Sequence, residues 1–180
     1  MPTSYHVACG IGGEMLGFQR AGFRPLGGWD LCPANGKVLR RHFPSAHIIT
    51  ADIRDDSKLS ELPTEHIDVL TISYQCQPSS TQNRTRDPAD PRHKVARAML
   101  ARGISMAPTV ILVENVCGFR TVKNDAGELE MEHTIKTLRS AGYAVNWYEM
   151  NSGCYTGSSR PRIFIVGSRA GSDLLRELYN

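Results

Sequence analysis

No stretch of this 180-residue chain approaches the roughly 20 consecutive apolar residues that a membrane-spanning helix requires. The N-terminus, Met1-Pro2-Thr3-Ser4-Tyr5-His6, has neither the basic start nor the apolar core of a secretory signal, so a cytoplasmic location is expected. The five cysteines, Cys9, Cys32, Cys76, Cys117 and Cys154, are odd in number and contain no C-x-x-C pair. That speaks against a disulfide framework and against a zinc site; reduced thiols and no metal are expected. Internal repeats and low-complexity linkers are lacking as well. Strong charge is missing too: a formal net charge of +3 tolerates a polyanion but falls short of a strong nucleic-acid binder, so action on DNA would need help. The most basic local region, Asn83 to Arg102, reads first as a solvated loop and helix face. What remains, 41% hydrophobic and 22% charged residues, is the composition of one globular domain with a full core.

Taken in order, the chain alternates strands and helices. Tyr5 to Cys9 is a short β-prone run that leads into Ala8-Cys9-Gly10-Ile11-Gly12-Gly13. Met15, Leu16, Phe18 and Ala21 then have helical spacing up to Gly22. Glycines at such a turn allow positive φ and close backbone approach to a ligand. The turn is neither the G-x-x-x-x-G-K-[ST] phosphate loop nor a complete G-x-G-x-x-G fingerprint. Leu26 to Trp29 reads as a second strand that ends on Asp30, placed to hold a ribose diol or to cap the helix starting near Pro33. His47 to Ala51 gives a third strand, followed by Asp52-Ile53. Three successive strand ends, one Gly-rich and two acidic, outline a nucleoside pocket.

The fourth strand, from Asp68 into Ser73-Tyr74, stops immediately before Gln75-Cys76-Gln77-Pro78-Ser79-Ser80. A thiol just beyond the carboxyl end of a strand in an open α/β sheet faces ligand, where a nucleophile belongs. From Ser79 to Pro91 hydrophobic periodicity is lost, as in a mobile binding loop. A helix from about Arg92 to Met106 precedes a fifth strand, Val110 to Val113, that ends on Glu114-Asn115-Val116. Partial burial of Glu114 would make it a proton donor, whereas a structural Glu paired with an arginine would read the same way. A polar loop is expected over Gly118 to Gly127, a helix over Leu129 to Ala141, a strand over Ala144 to Met150, another over Ile163 to Gly167, and a helical turn near Leu174 to Leu178. Arg160 and Arg162, one residue apart at the entry to the last strand, would point to one face and reach one anion or carbonyl.

In this order, A-C-G-I-G-G, Asp30, Asp52-Ile53, Q-C-Q-P-S-S, V-E-N-V and S-S-R-P-R-I-F-I-V-G, the chain resembles the cytosine-5 DNA methyltransferase family over nearly its whole length. The resemblance implies an α/β, Rossmann-like S-adenosylmethionine-dependent methyltransferase fold, with a mostly parallel central sheet and helices on both faces. It implies a single catalytic domain over residues 1–180, in a phage or restriction-modification setting. Gly10, Ile11, Gly12 and Gly13 would surround the methionine end of S-adenosylmethionine, Asp30 with Leu31 would hold the ribose, and Asp52 with Ile53 would contact the adenine. Cys76 would be the nucleophile, Glu114 the group that protonates the cytosine ring nitrogen, and Arg162, with Arg160 near it, the support for the ring carbonyl. Residues Ser80 to Arg92 match the family's mobile catalytic loop. A base within a duplex must be flipped out to reach Cys76.

The sequence also departs from the family pattern. Gln75 stands where proline precedes the catalytic cysteine, Ala8 where an aromatic is usual, and Ser158 where the arginine motif begins with glutamine; the phenylalanine usual near Ser79 is missing. The chain stops about where a target-recognition region would begin. The expected partners are therefore cytosine-containing DNA and a second subunit supplying target recognition, with no membrane partner. Two alternatives stand beside the enzyme reading: a non-catalytic or split-subunit module that needs a partner, and a related enzyme acting on RNA or a free pyrimidine nucleotide.

Overall fold

The computed structural model describes residues 1–74, 79 and 87–169. The chain divides into two compact units, one made of Met1–Ser73 with Ala98–Ile111, the other of Tyr74–Arg97 and the chain from Leu112 onward.

In the first unit β1 (Thr3–Val7) is followed by α1 (Gly13–Arg20), β2 (Arg24–Asp30), α2 (Pro33–His42), β3 (His47–Thr50) and β4 (Val69–Ser73). The four strands are parallel, in the order β3-β2-β1-β4. The chain steps outward from β1 to β3 and then returns to β1's other side, so the strand order reverses between β1 and β4. In open α/β sheets ligands bind at the carboxyl ends of the strands flanking that reversal. All five residues of β1 are buried, as a strand covered on both faces requires. α1 lies over the face that carries His6, whose ring meets Phe18 edge-on at 5.3 Å. The opposite face is covered by α3 (Pro91–Ser105), whose Gly103 lies so close that an added Cβ would come within 2.9 Å of Ile72 and 3.0 Å of Leu70.

Local signals account for the helix ends. α2 begins with Pro33, whose fixed φ suits the first helical turn, and closes on Arg40, Arg41 and His42, which complement the helix dipole. α1 stops at Gly22, with φ +88. A 3₁₀ turn over Asp56–Glu61, absent from the sequence reading, fills the connection to β4.

The second unit holds most of β5 (Val110–Val116), α4 (Glu130–Ser140), β6 (Ala144–Asn151), α5 (Gly153–Thr156) and β7 (Pro161–Ser168). β7 lies between β5 and β6 and pairs antiparallel with β6 from Ala144↔Ser168 to Asn151↔Pro161. α4 buries Met131, Thr134 and Leu138, an i, i+3, i+7 stripe. The polar segment after β5 is not wholly loop: Cys117–Arg120 form a 3₁₀ turn that buries Phe119 against Tyr74. The expected mobile loop falls largely outside the described residues, and the turn expected near Leu174 does so entirely.

Candidate active site

The glycine turn after β1 is held from both sides. Ala8 and Gly10 have φ of 56° and 54°, and Gly12 has φ of 90°. Ala8 donates its N–H to the Trp29 carbonyl at 2.7 Å, and Gly12 donates to Cys9 at 2.9 Å. A left-handed alanine costs about 1 kcal/mol, which the neighbouring strand contact offsets. A Cβ on Gly12 would sit 2.7 Å from Leu39 and 2.8 Å from Phe43, so the turn packs directly on α2. On Gly10 and Gly13 it would meet nothing within 4 Å, which leaves an open ledge where a ligand can approach backbone.

Asp30, buried at the end of β2, ties this ledge to α2. Its carboxylate accepts from the Gly10 N–H at 2.8 Å, the Cys32 N–H at 2.9 Å and the Asn35 side-chain amide at 3.0 Å. Asp30 is not the N-cap of α2, a place taken by Cys32, but braces the helix entry through the Cys32 N–H and the Asn35 side chain, and a carboxylate with about four acceptor sites keeps room for a diol hydroxyl. Leu31, next to Asp30 in the chain, and Ile11, within the turn, are 62% and 66% exposed. An open backbone ledge, a buried acid and exposed aliphatics fit a nucleoside with a charged tail.

Asp52 and Ile53 are arranged differently from one another. The Asp52 carboxylate is clasped by Arg54, at 2.6 Å from Nη2 and 2.9 Å from Nε, and this holds its pKa down at about 2. Ile53 is 5% exposed, so its side chain belongs to the core and only its backbone is available to a base.

In the second unit Glu114, near the end of β5, and Arg162, at the start of β7, form an ion pair of 2.9 Å through Nε. Both side chains are about one-fifth exposed, at 21% and 18%. Glu114 is thus both partly buried and paired with an arginine, so the features behind its two readings are present together. Arg160 does not join them. It precedes β7, its backbone N–H donates to Asn151 Oδ1 at 2.8 Å, and its side chain makes no ion pair among the described residues. The expected shared face of the two arginines requires both to lie in the strand, and only Arg162 does.

Cys76 and the residues immediately around it lie outside the described residues. The described thiols include two poor nucleophiles: burial and the nearby Asp30 push Cys9 up to about 12, and burial with Glu149 beside it raises Cys117.

Several polar groups escaped the sequence reading. Asn151 clasps the β6–β7 connection, accepting from the Gly153 and Arg160 N–H groups. His93 and Glu130 form a buried pair at 2.9 Å. Glu14 is bonded to β4 by two hydroxyls. Periodicity carries no mark of these, since each is fixed by particular polar partners and not by which face of an element is buried.

The architecture is shared with solved methyltransferases. A candidate DNA modification methyltransferase encoded within an E. coli prophage superposes with a TM-score of 0.76 at 19% identity, over 94% of this chain and 47% of that one. The Dnmt2 methyltransferase of S. pombe gives 0.64 at 19% identity, over 93% and 49%. These likenesses establish the Rossmann-like methyltransferase fold. Among curated proteins, the type II methyltransferase M.Sau96I of Staphylococcus aureus is 30% identical over 96% of this chain and 40% of its own length. M.NaeI of Lentzea aerocolonigenes is 28% identical over 89% and 38%. The C-5 cytosine-specific DNA methylase profile matches residues 4–179, and the chain belongs to that family. It spans about two-fifths of the length of these two curated relatives.

Proposed function

We propose that this protein methylates carbon 5 of cytosine in DNA, with S-adenosylmethionine as the methyl donor and Cys76 as a covalent nucleophile. The observation that carries the reading is the Glu114–Arg162 pair, an acid and a guanidinium side by side near the end of β5 in a chain of this family. The relatives' greater length supports target recognition by protein outside these 180 residues, in the same polypeptide or in a second subunit. A DNA substrate in a phage or restriction-modification setting agrees with a cytoplasmic location; among the described residues no helix is long and apolar enough to cross a membrane.

Carbon 5 of cytosine is a weak nucleophile, so the Cys76 thiolate first bonds to carbon 6. Glu114 gives a proton to the ring nitrogen during that addition, and Arg162 supports the ring carbonyl. The addition makes carbon 5 electron-rich. S-adenosylmethionine, held at the glycine turn, would supply the electrophilic methyl group for carbon 5, its S–CH3 bond breaking to leave the neutral thioether S-adenosylhomocysteine. A base then removes the carbon 5 proton, and the electron pair left behind expels the Cys76 sulfur. In the first unit, Gly10, Ile11, Gly12 and Gly13 would receive the methionine end, Asp30 and Leu31 the ribose, and Asp52 with the Ile53 backbone the adenine.

The test is trapping. With labelled S-adenosylmethionine and DNA containing 5-fluorocytosine, which cannot lose its carbon 5 substituent, the wild-type chain should form a denaturation-resistant adduct. Cys76→Ser should form none while retaining cofactor binding; methyl transfer by that variant would remove the covalent mechanism. Running RNA in parallel reads out the substrate class.

A further inference from the structure

Deepening the cofactor reading above, and resting on it, we propose that Glu14 is an electrostatic contact for the cationic methionine end of S-adenosylmethionine.

Glu14 lies in the first turn of α1, directly after the glycine turn, at the strand-order reversal between β1 and β4. Its Oε2 accepts from Thr71 Oγ1 at 2.8 Å and from Ser73 Oγ, on the last residue of β4, at 3.3 Å. Behind Thr71 stands His6, fully buried, with Nδ1 2.8 Å from Thr71 Oγ1 and Nε2 3.0 Å from Ser4 Oγ. Counting protons orders this chain. Thr71 has one hydroxyl proton and gives it to the carboxylate, so it must accept from His6 Nδ1–H, while Nε2 is anchored on Ser4. The hydrogen bonds run from the sheet interior to a single carboxylate oxygen.

Among the described residues no donor reaches the other oxygen, Oε1, and the side chain is 24% exposed. A first-turn acid also stabilises its helix through the dipole, but an unrestrained surface carboxylate does that equally well. The buried chain does something else: it holds one oxygen on the sheet, on the residue directly after Gly13 of the open turn, while no described donor takes the second. The methionine end carries a sulfonium and an ammonium against one carboxylate. A fixed anion there favours that end on charge, and 5′-methylthioadenosine, which has the nucleoside without sulfonium or amino acid, would not feel it.

Isothermal titration of the full chain with each compound tests this. In Glu14→Gln, which keeps the shape and an acceptor for Thr71, S-adenosylmethionine should bind about tenfold more weakly. Glu14→Lys should lose more, while 5′-methylthioadenosine stays within about twofold of wild type in both variants. Equal losses for the two compounds would make Glu14 a structural helix acid and overturn the proposal, as would no loss for either. Wild-type protein that binds neither compound would instead refute the cofactor reading itself, and this inference with it.

Discussion

Asp30 serves three donors from three places, the glycine turn, the entry to α2 and Asn35, with one buried carboxylate. Asp30→Ala would strand those donors at a half-buried site, so it should cost about 2 kcal/mol in urea unfolding as well as weaken S-adenosylmethionine binding. Loss of binding with unchanged stability would mean that the turn is held without it. Asp52 allows a cleaner test of charge. Its folded pKa, about 2, lies below its unfolded value because of Arg54, so its small, partly exposed contribution is present above the ordinary carboxylate range and lost as pH falls through about 2. A carboxyl titration followed by NMR should show that midpoint, and Arg54→Ala should return it to about 4. At this scale the sequence was legible in part. The types and order of Gly10, Asp30, Glu114 and Arg162 stood out, whereas the separation of Arg160 from Arg162 depended on where β7 starts.

The elements are pinned by close approaches that small residues permit. Gly12 combines φ +90 with side-chain neighbours at 2.7 and 2.8 Å, and Leu39 and Phe43 can yield by rotamer shifts. Gly27 is less forgiving: a Cβ there would lie 2.2 Å from the His47 carbonyl oxygen across the β2–β3 pairing. Chemical denaturation should rank the two, with Gly12→Ala losing about 2 kcal/mol and Gly27→Ala more than about 3, because backbone in a paired strand cannot move aside. A larger loss for Gly12→Ala than for Gly27→Ala would show that strain at φ, not contact, sets the cost. Strands and long helices were readable because their burial imposes periods of two and 3.6 residues. The short 3₁₀ turns over Asp56–Glu61 and Cys117–Arg120 were not, since so few residues carry no period.

For the molecule as a whole, the modest charge of +3 limits what the chain does on DNA unaided. Fluorescence anisotropy on a cytosine-containing duplex should give a Kd of about 1 μM or weaker at physiological salt, with a shallow dependence on salt. Tight binding with a steep slope would show a concentrated basic surface that net charge conceals. Sequence by itself determined the alternation of strand and helix, the family, and the residue types available for chemistry, because these follow from local periodicity and from motifs contiguous along the chain. Only the tertiary structure decided that Glu114 pairs with Arg162, that Asp30 holds the glycine turn, and that a buried histidine chain ends on Glu14. Those pairings join residues 20 to 65 positions apart, and their partners are chosen by strand order and burial, which no local pattern encodes.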